Sequence, residues 1–269
     1  MKKFIFLFPL FLAACSSTTE SGEVGVGRKQ LILVPSEQIM QLSEQDYAKV
    51  KAEAQAQGNL DKDPAVVARL KSISQRLIPQ TSVFRKDALN WKWEVHAISS
   101  EELNAYCMPG GKIIFYTGLI DKLKMTDAEI AAVMGHEISH ALREHGRERM
   151  SEELLKQAGL MGLEMLVATK AVDSKYSQYL GAATIVSTVA ISLPHSRRQE
   201  KEADDMGMEL MARAGYDPHE SITLWKKMSS SGAAKPPEIL STHPSDSNRI
   251  KDMEGLLPKT LPLFQTAKK

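Results

Sequence analysis

Cysteine is scarce in this 269-residue sequence, and neither sign of charge is in excess. The two cysteines, Cys15 and Cys107, exclude a small scaffold held together by several disulfides. The 34 basic residues face 33 acidic ones without a basic block, which argues against nucleic acid as a partner. The length and a hydrophobic content of 43% suffice for one large domain or two small ones with a buried core.

The N-terminus has the pattern of a signal peptide. Two lysines precede an apolar run over residues 4–12, and two alanines lead into Cys15. This order predicts a signal peptide over residues 1–14. Small residues before a cysteine resemble the bacterial lipobox, which implies cleavage before Cys15 and lipidation of its thiol. Ser16 resembles the signal that sorts lipoproteins to the outer membrane, facing the periplasm.

Serine, threonine and glycine dominate the next segment, so residues 15–35 are expected to form a lipid-anchored flexible tether. The folded domain is then expected over residues 36–269. Its patterns predict a mainly α protein with a small β-sheet, an α+β fold. Helix starts are expected at Ser43, at Asp63 and at the capping box that begins with Thr126.

Strands are predicted by the alternating pattern of residues 91–98 and by two short runs within residues 103–120. Further helices are expected over residues 151–172, 176–194 and 196–214. Residues 176–194 carry no charge, but their polar content and marginal length favour a buried or surface-covering helix over a membrane span.

The segment "HEISH" places His136 and His140 four residues apart, on one face of a helix. Two imidazoles at this spacing can bind one zinc ion at roughly 2.0–2.1 Å. Glu137 lies about 100° around the helix, where it can act as a general base on water instead of binding the metal. The alternative is a helix with two solvated histidines, but the capped, periodic helix favours the metal.

His145 is a less suitable ligand, because a continuous helix would place it about 140° from His140 and 180° from His136. We therefore expect it to face solvent or to take part in a local cap. A third ligand must then come from elsewhere in the chain, since a catalytic zinc usually takes three protein ligands.

The helix over residues 196–214 offers several carboxylates. Glu200 and Asp204 fall in its apolar row and should face inward, where a buried carboxylate needs a metal or an ion pair. The row of Glu202, Asp205 and Glu209 is expected to face solvent. Glu200 is therefore predicted as the third ligand, and Asp204 as the partner of the free ring nitrogen of His136. A salt bridge to Arg143 or Arg147 is the alternative for these acids.

The segments "HEISHALREHG", "SRRQEKEADDMG", "NAYCMPGGKIIFYTGL" and "STHPSDSNRI" together resemble the HtpX/CAAX-prenyl-protease-like zinc metallopeptidases. The match is to the periplasmic lipoprotein branch, which is LoiP- and BepA-like. It implies a gluzincin-type domain with one Zn²⁺ per chain, bound by His136, His140 and Glu200. It also implies Glu137 as the general base and Asp204 as a supporting residue.

Two further sites follow from the resemblance alone. An edge strand that pairs with extended substrate is implied at Asn104, Ala105, Pro109 and Gly110. His243 is implied near the metal, where it either stabilises the oxyanion or caps the zinc in a resting state. Arg249 is a weaker candidate for the oxyanion or for a salt bridge.

Two functions are compatible with these features. The first is a zinc endopeptidase that is lipid-anchored in the periplasm and cleaves misfolded or unassembled envelope proteins. The second is a chaperone or outer-membrane assembly factor with a capped or structural zinc, with a link to the outer-membrane assembly machinery. Glu137, which a structural site does not need, favours the enzyme.

Overall fold

The computed structural model describes residues 15–167, 195–230, 238–243 and 248–268. Over these residues the fold is mostly helical with a small sheet, as predicted. The strands are β1 (Cys15–Ser16), β2 (Gln30–Leu31), β3 (Glu94–Ile98), β4 (Ala105–Met108) and β5 (Lys112–Tyr116). The helices are α1 (Ser36–Ala56), α2 (Pro64–Leu77), α3 (Thr117–Lys122), α4 (Asp127–Leu142), α5 (His145–Val167), α6 (Arg197–Arg213), α7 (His219–Ser230), α8 (Glu238–Thr242) and α9 (Arg249–Ala267). Two 3-10 helices cover Ile78–Val83 and Lys86–Asn90.

Helix α4 is the centre of the core. Its start at Thr126 is confirmed, because the threonine hydroxyl accepts from the Glu129 amide and the Glu129 carboxylate accepts from the Thr126 amide. Ile130, Met134 and Ile138 are fully buried along its length. The apolar packing therefore holds α4 rigidly beneath the sheet and against α6.

Strand β4 lies at an edge of the main sheet. The order is β3-β5-β4, with β3 parallel and β4 antiparallel to the central strand. Gly110 and Gly111 adopt φ values of +83° and +82°, which allow the tight turn between β4 and β5. The two predicted strands around the Pro-Gly-Gly turn are thus confirmed.

The predicted helix start at Ser43 is wrong. Helix α1 begins at Ser36 after Pro35, whose φ of −63° already suits a helix start. Ser43 lies inside α1, and its hydroxyl donates to the Pro109 carbonyl at 2.8 Å. Its hydroxyl contributes a tertiary contact that local sequence does not reveal.

The segment predicted as a flexible tether packs against the domain. We call residues 17–30 the N-terminal strap, in which Val24 and Val26 are buried and Gln30 is fully covered. Arg28 forms ion pairs with Glu148 and Glu202. These partners lie more than 100 residues away in sequence, so the strap's composition alone suggested an unpacked segment.

Much of the predicted helix over residues 151–172 is present, but it belongs to α5, which begins earlier, at His145. The predicted helix over residues 176–194 lies outside the described residues. Within the ranges that are described, we find no helix with the length and apolar character of a membrane span.

Helices α4 and α6 cross at two glycines, so a methyl group at this crossing should destabilise the fold. A Cβ at Gly207 would lie 2.8 Å from the His136 nitrogen and 3.1 Å from the Gly135 carbonyl carbon. Since backbone atoms cannot move aside as a side chain can, Gly207→Ala is expected to lower the free energy of unfolding by about 1–3 kcal/mol.

Urea denaturation of the purified protein checks this expectation. Gly255→Ala in α9 is the matched control, because a Cβ there meets no described atom within 4 Å. The control should keep or raise stability, by up to about 1 kcal/mol, since alanine favours a helix over glycine. Equal stability of Gly207→Ala and the wild type would show that the crossing is not tight.

Candidate metal centre

Three side chains converge where α4 crosses α6. The Nε2 atoms of His136 and His140 lie 3.0 Å apart. The Glu200 carboxylate lies 3.5 Å from the first of these nitrogens and 3.4 Å from the second. Ligand atoms of a tetrahedral zinc with bonds of roughly 2.0–2.2 Å are about 3.3 Å apart. The three predicted ligands therefore have the spacing that a zinc ion requires.

His243 adds a fourth ligand atom to this set. It follows α8, and its Nδ1 lies 3.2 Å from His136 Nε2 and 3.0 Å from Glu200 Oε1. The ligand atoms of all four residues lie within 4.8 Å of one another. The structure thus brings His243 to the metal centre, as the family resemblance implied.

Glu137 is buried beside this cluster, 3.5 Å from His243 Nε2. Among the described residues, Glu137 Oε1 has no hydrogen-bond donor, whereas Glu200 Oε2 lies 2.8 Å from Arg249 Nη1. Buried carboxylate oxygens without donors are costly unless a cation compensates them. Together with the nitrogen-rich ligand set, this oxygen without a donor fits a zinc ion bound beside it.

The electrostatics of the two glutamates differ. Burial raises the pKa of Glu137, against the opposing effect of nearby His243 and His136. Burial also acts to raise the pKa of Glu200, but His243 and His140 outweigh it and hold this pKa well below its ordinary value. Glu200 is thus kept ionised as a ligand, whereas Glu137 has a greater affinity for a proton.

Asp204 lies where it was predicted, with Oδ1 at 2.9 Å from His136 Nδ1. This contact directs the Nε2 lone pair of His136 toward the metal position. Arg249 orients the carboxylate through bonds of 2.5 Å and 2.8 Å and also pairs with Glu200 at 2.8 Å. Arg249 was expected either near the oxyanion or in a salt bridge, and in the structure it forms salt bridges with Asp204 and Glu200.

The prediction that Glu202, Asp205 and Glu209 face solvent is wrong, because all three are buried. The N-terminal strap covers this side of α6: Arg28 pairs with Glu202, and the Val24 amide donates to Glu209. The helical spacing used for the prediction separates polar from apolar residues, but it contains no information about a polar partner in a distant segment.

The expectation for His145 is also wrong. Its side chain is fully buried, and its Nδ1 lies 2.8 Å from His140 Nδ1. The prediction assumed one continuous helix through His145. In the structure, α4 ends at Leu142 and Glu144 adopts a φ of +52°. This left-handed residue turns the chain so that His145 begins α5 and folds back against His140.

His195 is a neighbour of the site that the sequence analysis did not identify. Its ring centroid lies 3.8 Å from that of His140 and 4.9 Å from that of His243. The Arg149 guanidinium contacts it on another side. The sequence feature that could have placed His195 near the metal centre is its position just before the capping residue Ser196. This position fixes His195 at the start of the helix that carries Glu200.

A cleft of about 70 Å³ separates the metal centre from the edge strand β4. One wall comprises Asn104, Ala105 and Pro109, and the other includes Glu137, His140 and His243. Gly110 lies at the end of the strand, in the turn. An edge strand beside a metal centre can pair with an extended peptide, so the structure brings the predicted substrate strand to the predicted site.

Comparison with known proteins gives relatives in mitochondria and bacteria. The chain is 32% identical to "Metalloendopeptidase OMA1, mitochondrial" of Bos taurus, over 89% of this chain and 46% of the relative. It is 31% identical to the human protein of the same name, over 87% and 45%. It is 25% identical to "Beta-barrel assembly-enhancing protease" of Escherichia coli K12, over 75% and 41%. The chain thus matches less than half the length of each of these relatives.

The family model described as Peptidase family M48 matches residues 64–257. These residues include the HExxH helix, Glu200 and His243. The match confirms the predicted metallopeptidase class and its zinc cofactor, whereas the periplasmic lipoprotein branch stays a prediction. Because the match covers well over half of the chain and contains the whole candidate metal centre, the chain belongs to Peptidase family M48.

Proposed function

We propose that this chain is a zinc-dependent endopeptidase, lipid-anchored at the periplasmic face of a bacterial outer membrane, that cleaves misfolded or unassembled envelope proteins. The observation that carries the activity is the convergence of His136, His140 and Glu200 next to Glu137 and to β4, the edge strand of the described sheet. Such a site combines a metal, a base and a surface for extended peptides.

The chain's own groups fit hydrolysis of a peptide bond. Zinc, when bound, supplies Lewis acidity that makes water a nucleophile near neutral pH. Glu137 supplies the general base, and its raised pKa brings it closer to the range in which a carboxyl both takes and returns a proton. Backbone groups of β4 can pair with an extended substrate whatever its side chains, so we expect activity on unfolded chains of diverse sequence.

The lipid anchor and the location are supported by the N-terminal pattern, in which small residues precede Cys15. The name of the Escherichia coli relative points to outer-membrane assembly, whereas the names of the OMA1 relatives point to mitochondria. Expression in a bacterium with labelled palmitate tests the anchor: the wild type should incorporate the label and Cys15→Ser should not. Equal labelling of the two proteins would contradict lipidation at Cys15.

Metal analysis combined with a casein-cleavage assay tests the activity. The purified full chain should contain one zinc and cleave casein, and removal of the metal with a chelator should abolish cleavage until zinc is restored.

A second function, a chaperone with a capped zinc, is favoured by one observation, the proximity of His243 to the metal position. Zinc-loaded protein that suppresses aggregation without cleaving any unfolded substrate would support that alternative.

His243→Ala is expected to raise the cleavage rate. Since His243 Nδ1 completes a four-atom set with the three predicted ligands, it has the position of a cap in a resting state. Its removal should free the position that a catalytic site keeps open, with an increase of severalfold in casein cleavage at equal zinc content. A fall in the rate would instead assign His243 to stabilisation of the oxyanion. His219→Ala, at an exposed histidine of α7 that pairs with Asp217, is the control.

A further inference from the structure

His145 links a metal ligand to a carboxylate that the site itself does not use. Its ring lies between His140 and Glu202, with Nδ1 at 2.8 Å from His140 Nδ1 and Nε2 at 3.0 Å from Glu202 Oε2. The ring is fully buried, so water does not compete for either nitrogen. Each ring nitrogen of His145 thus has one defined partner.

The groups on either side of His145, which are Glu202 and His140, decide which atom donates in each of these two hydrogen bonds. The Arg28 guanidinium donates to both oxygens of Glu202, and this ion pair keeps the carboxylate ionised. An ionised carboxylate only accepts hydrogen bonds, so His145 Nε2 carries the proton that faces it. His145 Nδ1 faces another imidazole nitrogen, and only one nitrogen of such a pair can carry the proton of the hydrogen bond between them.

A neutral His145 with its proton on Nε2 has a lone pair on Nδ1. His140 must then be the donor across the 2.8 Å contact, with its proton on Nδ1. The Nε2 of His140 is left with its lone pair toward His136 and Glu200. This is the tautomer that a zinc ligand needs.

Glu202 is held in place by the N-terminal strap. Arg28 donates to both of its oxygens, at 2.7 Å and 3.0 Å, and the buried Arg143 lies 3.4 Å away. Arg28 also pairs with Glu148 on α5. A continuous series of contacts therefore runs from the strap through Glu202 and His145 to His140.

We propose that His145, held by Glu202, is a positioning residue that selects the metal-binding tautomer of His140 and orients its ring. The inference rests on the proposed zinc site. It gives His140 a supporting residue, His145, in the same way that Asp204 supports His136. In this role His145 contributes through the hydrogen bond that its Nδ1 accepts, and its packing volume is secondary.

Two variants of equal side-chain size separate the hydrogen bond from packing. In His145→Asn, Oδ1 is as far along the side chain as the histidine Nδ1 and can accept from His140. In His145→Leu, a methyl group takes that place. We expect His145→Leu to weaken zinc affinity about 10- to 100-fold in a chelator competition, and His145→Asn to stay within about threefold of wild type.

The visible spectrum of the cobalt-substituted protein supplies a second readout. His145→Leu should shift or broaden the cobalt bands because the His140 ring is no longer held, whereas His145→Asn should keep the wild-type spectrum. Wild-type zinc affinity and spectrum in His145→Leu, or equal losses in both variants, would overturn the inference. A wild-type protein that binds no zinc would overturn the proposed function as well, so the two failures are distinguishable.

A second pair of variants covers the case in which His145→Leu does not fold. Glu202→Gln replaces the ionised acceptor by an amide that can also donate to His145 Nε2, so it removes the tautomer preference. Glu148→Gln is the matched control, because Glu148 shares Arg28 but bonds to neither nitrogen of the His145 ring. Zinc affinity should fall at least about tenfold in Glu202→Gln and stay within about threefold in Glu148→Gln. Equal affinities of the two variants would overturn the inference.

Discussion

Replacing Glu137 by glutamine is expected to slow casein cleavage by about 100- to 10,000-fold and to leave the zinc content unchanged. Glutamine has the size of glutamate but cannot take a proton from water. Glu137 is assigned no metal contact, since the ligand atoms come from His136, His140 and Glu200, so the metal should stay bound. A loss of rate at constant zinc content distinguishes the base from a ligand.

Glu129→Gln is the control for this variant. Glu129 is a buried carboxylate on the same helix, but it belongs to the capping box at the far end and pairs with Lys227. Glutamine can maintain the capping box, so cleavage should stay near the wild-type rate. Casein cleavage by zinc-loaded Glu137→Gln at the wild-type rate would contradict the assignment of the base.

Replacing Glu200 by alanine should weaken zinc binding at least about 100-fold, since it removes one of three protein ligands rather than a supporting group. Cleavage should be lost with the metal. The same change leaves Arg249 with Asp204 as its remaining carboxylate partner at the site, so the domain should still fold.

Thermal unfolding with added zinc measures this effect independently of activity. At a zinc concentration 100 times its dissociation constant, the wild type should gain about 2.7 kcal/mol of stability, whereas a 100-fold weaker variant gains about 0.4 kcal/mol. Asp205→Ala is the control, because Asp205 lies on the same helix and pairs with Lys201 away from the histidines. If Glu200→Ala binds zinc as tightly as Asp205→Ala, the third ligand is another residue.

Local patterns predicted the elements that carry the site. The capping box at Thr126 and the Pro-Gly-Gly turn depend on neighbours within four residues, so the sequence contains their physical cause. The inward row of α6 likewise follows from helical spacing, and it selected Glu200 and Asp204 correctly as residues that face α4. The assignment of His243 needed the family resemblance, because no periodicity connects it with α4.

Predictions failed where a distant segment or a change in backbone direction decides the environment. Glu202 and Glu209 looked like a solvent face because the helical wheel contains no information on the strap that covers them. His145 looked like a bystander because the wheel continued α4 past Glu144, whose positive φ ends it. The first error arises from a long-range contact and the second from a local change in backbone direction, and the helical spacing of the residues encodes neither.

By itself, the sequence determined the metal-binding chemistry of this protein: two histidines at helical spacing, a base beside the first, and an inward carboxylate on a second helix. The sequence also predicted the support of His136 by Asp204. Tertiary structure alone decided how the other groups are supported. It brought His243 and Arg249 to the cluster, folded His145 back onto His140, and placed the edge of β4 across the cleft. The physical reason is that ligand spacing on a helix is a local property, whereas orientation of a ligand depends on partners that only the folded chain brings within hydrogen-bond distance.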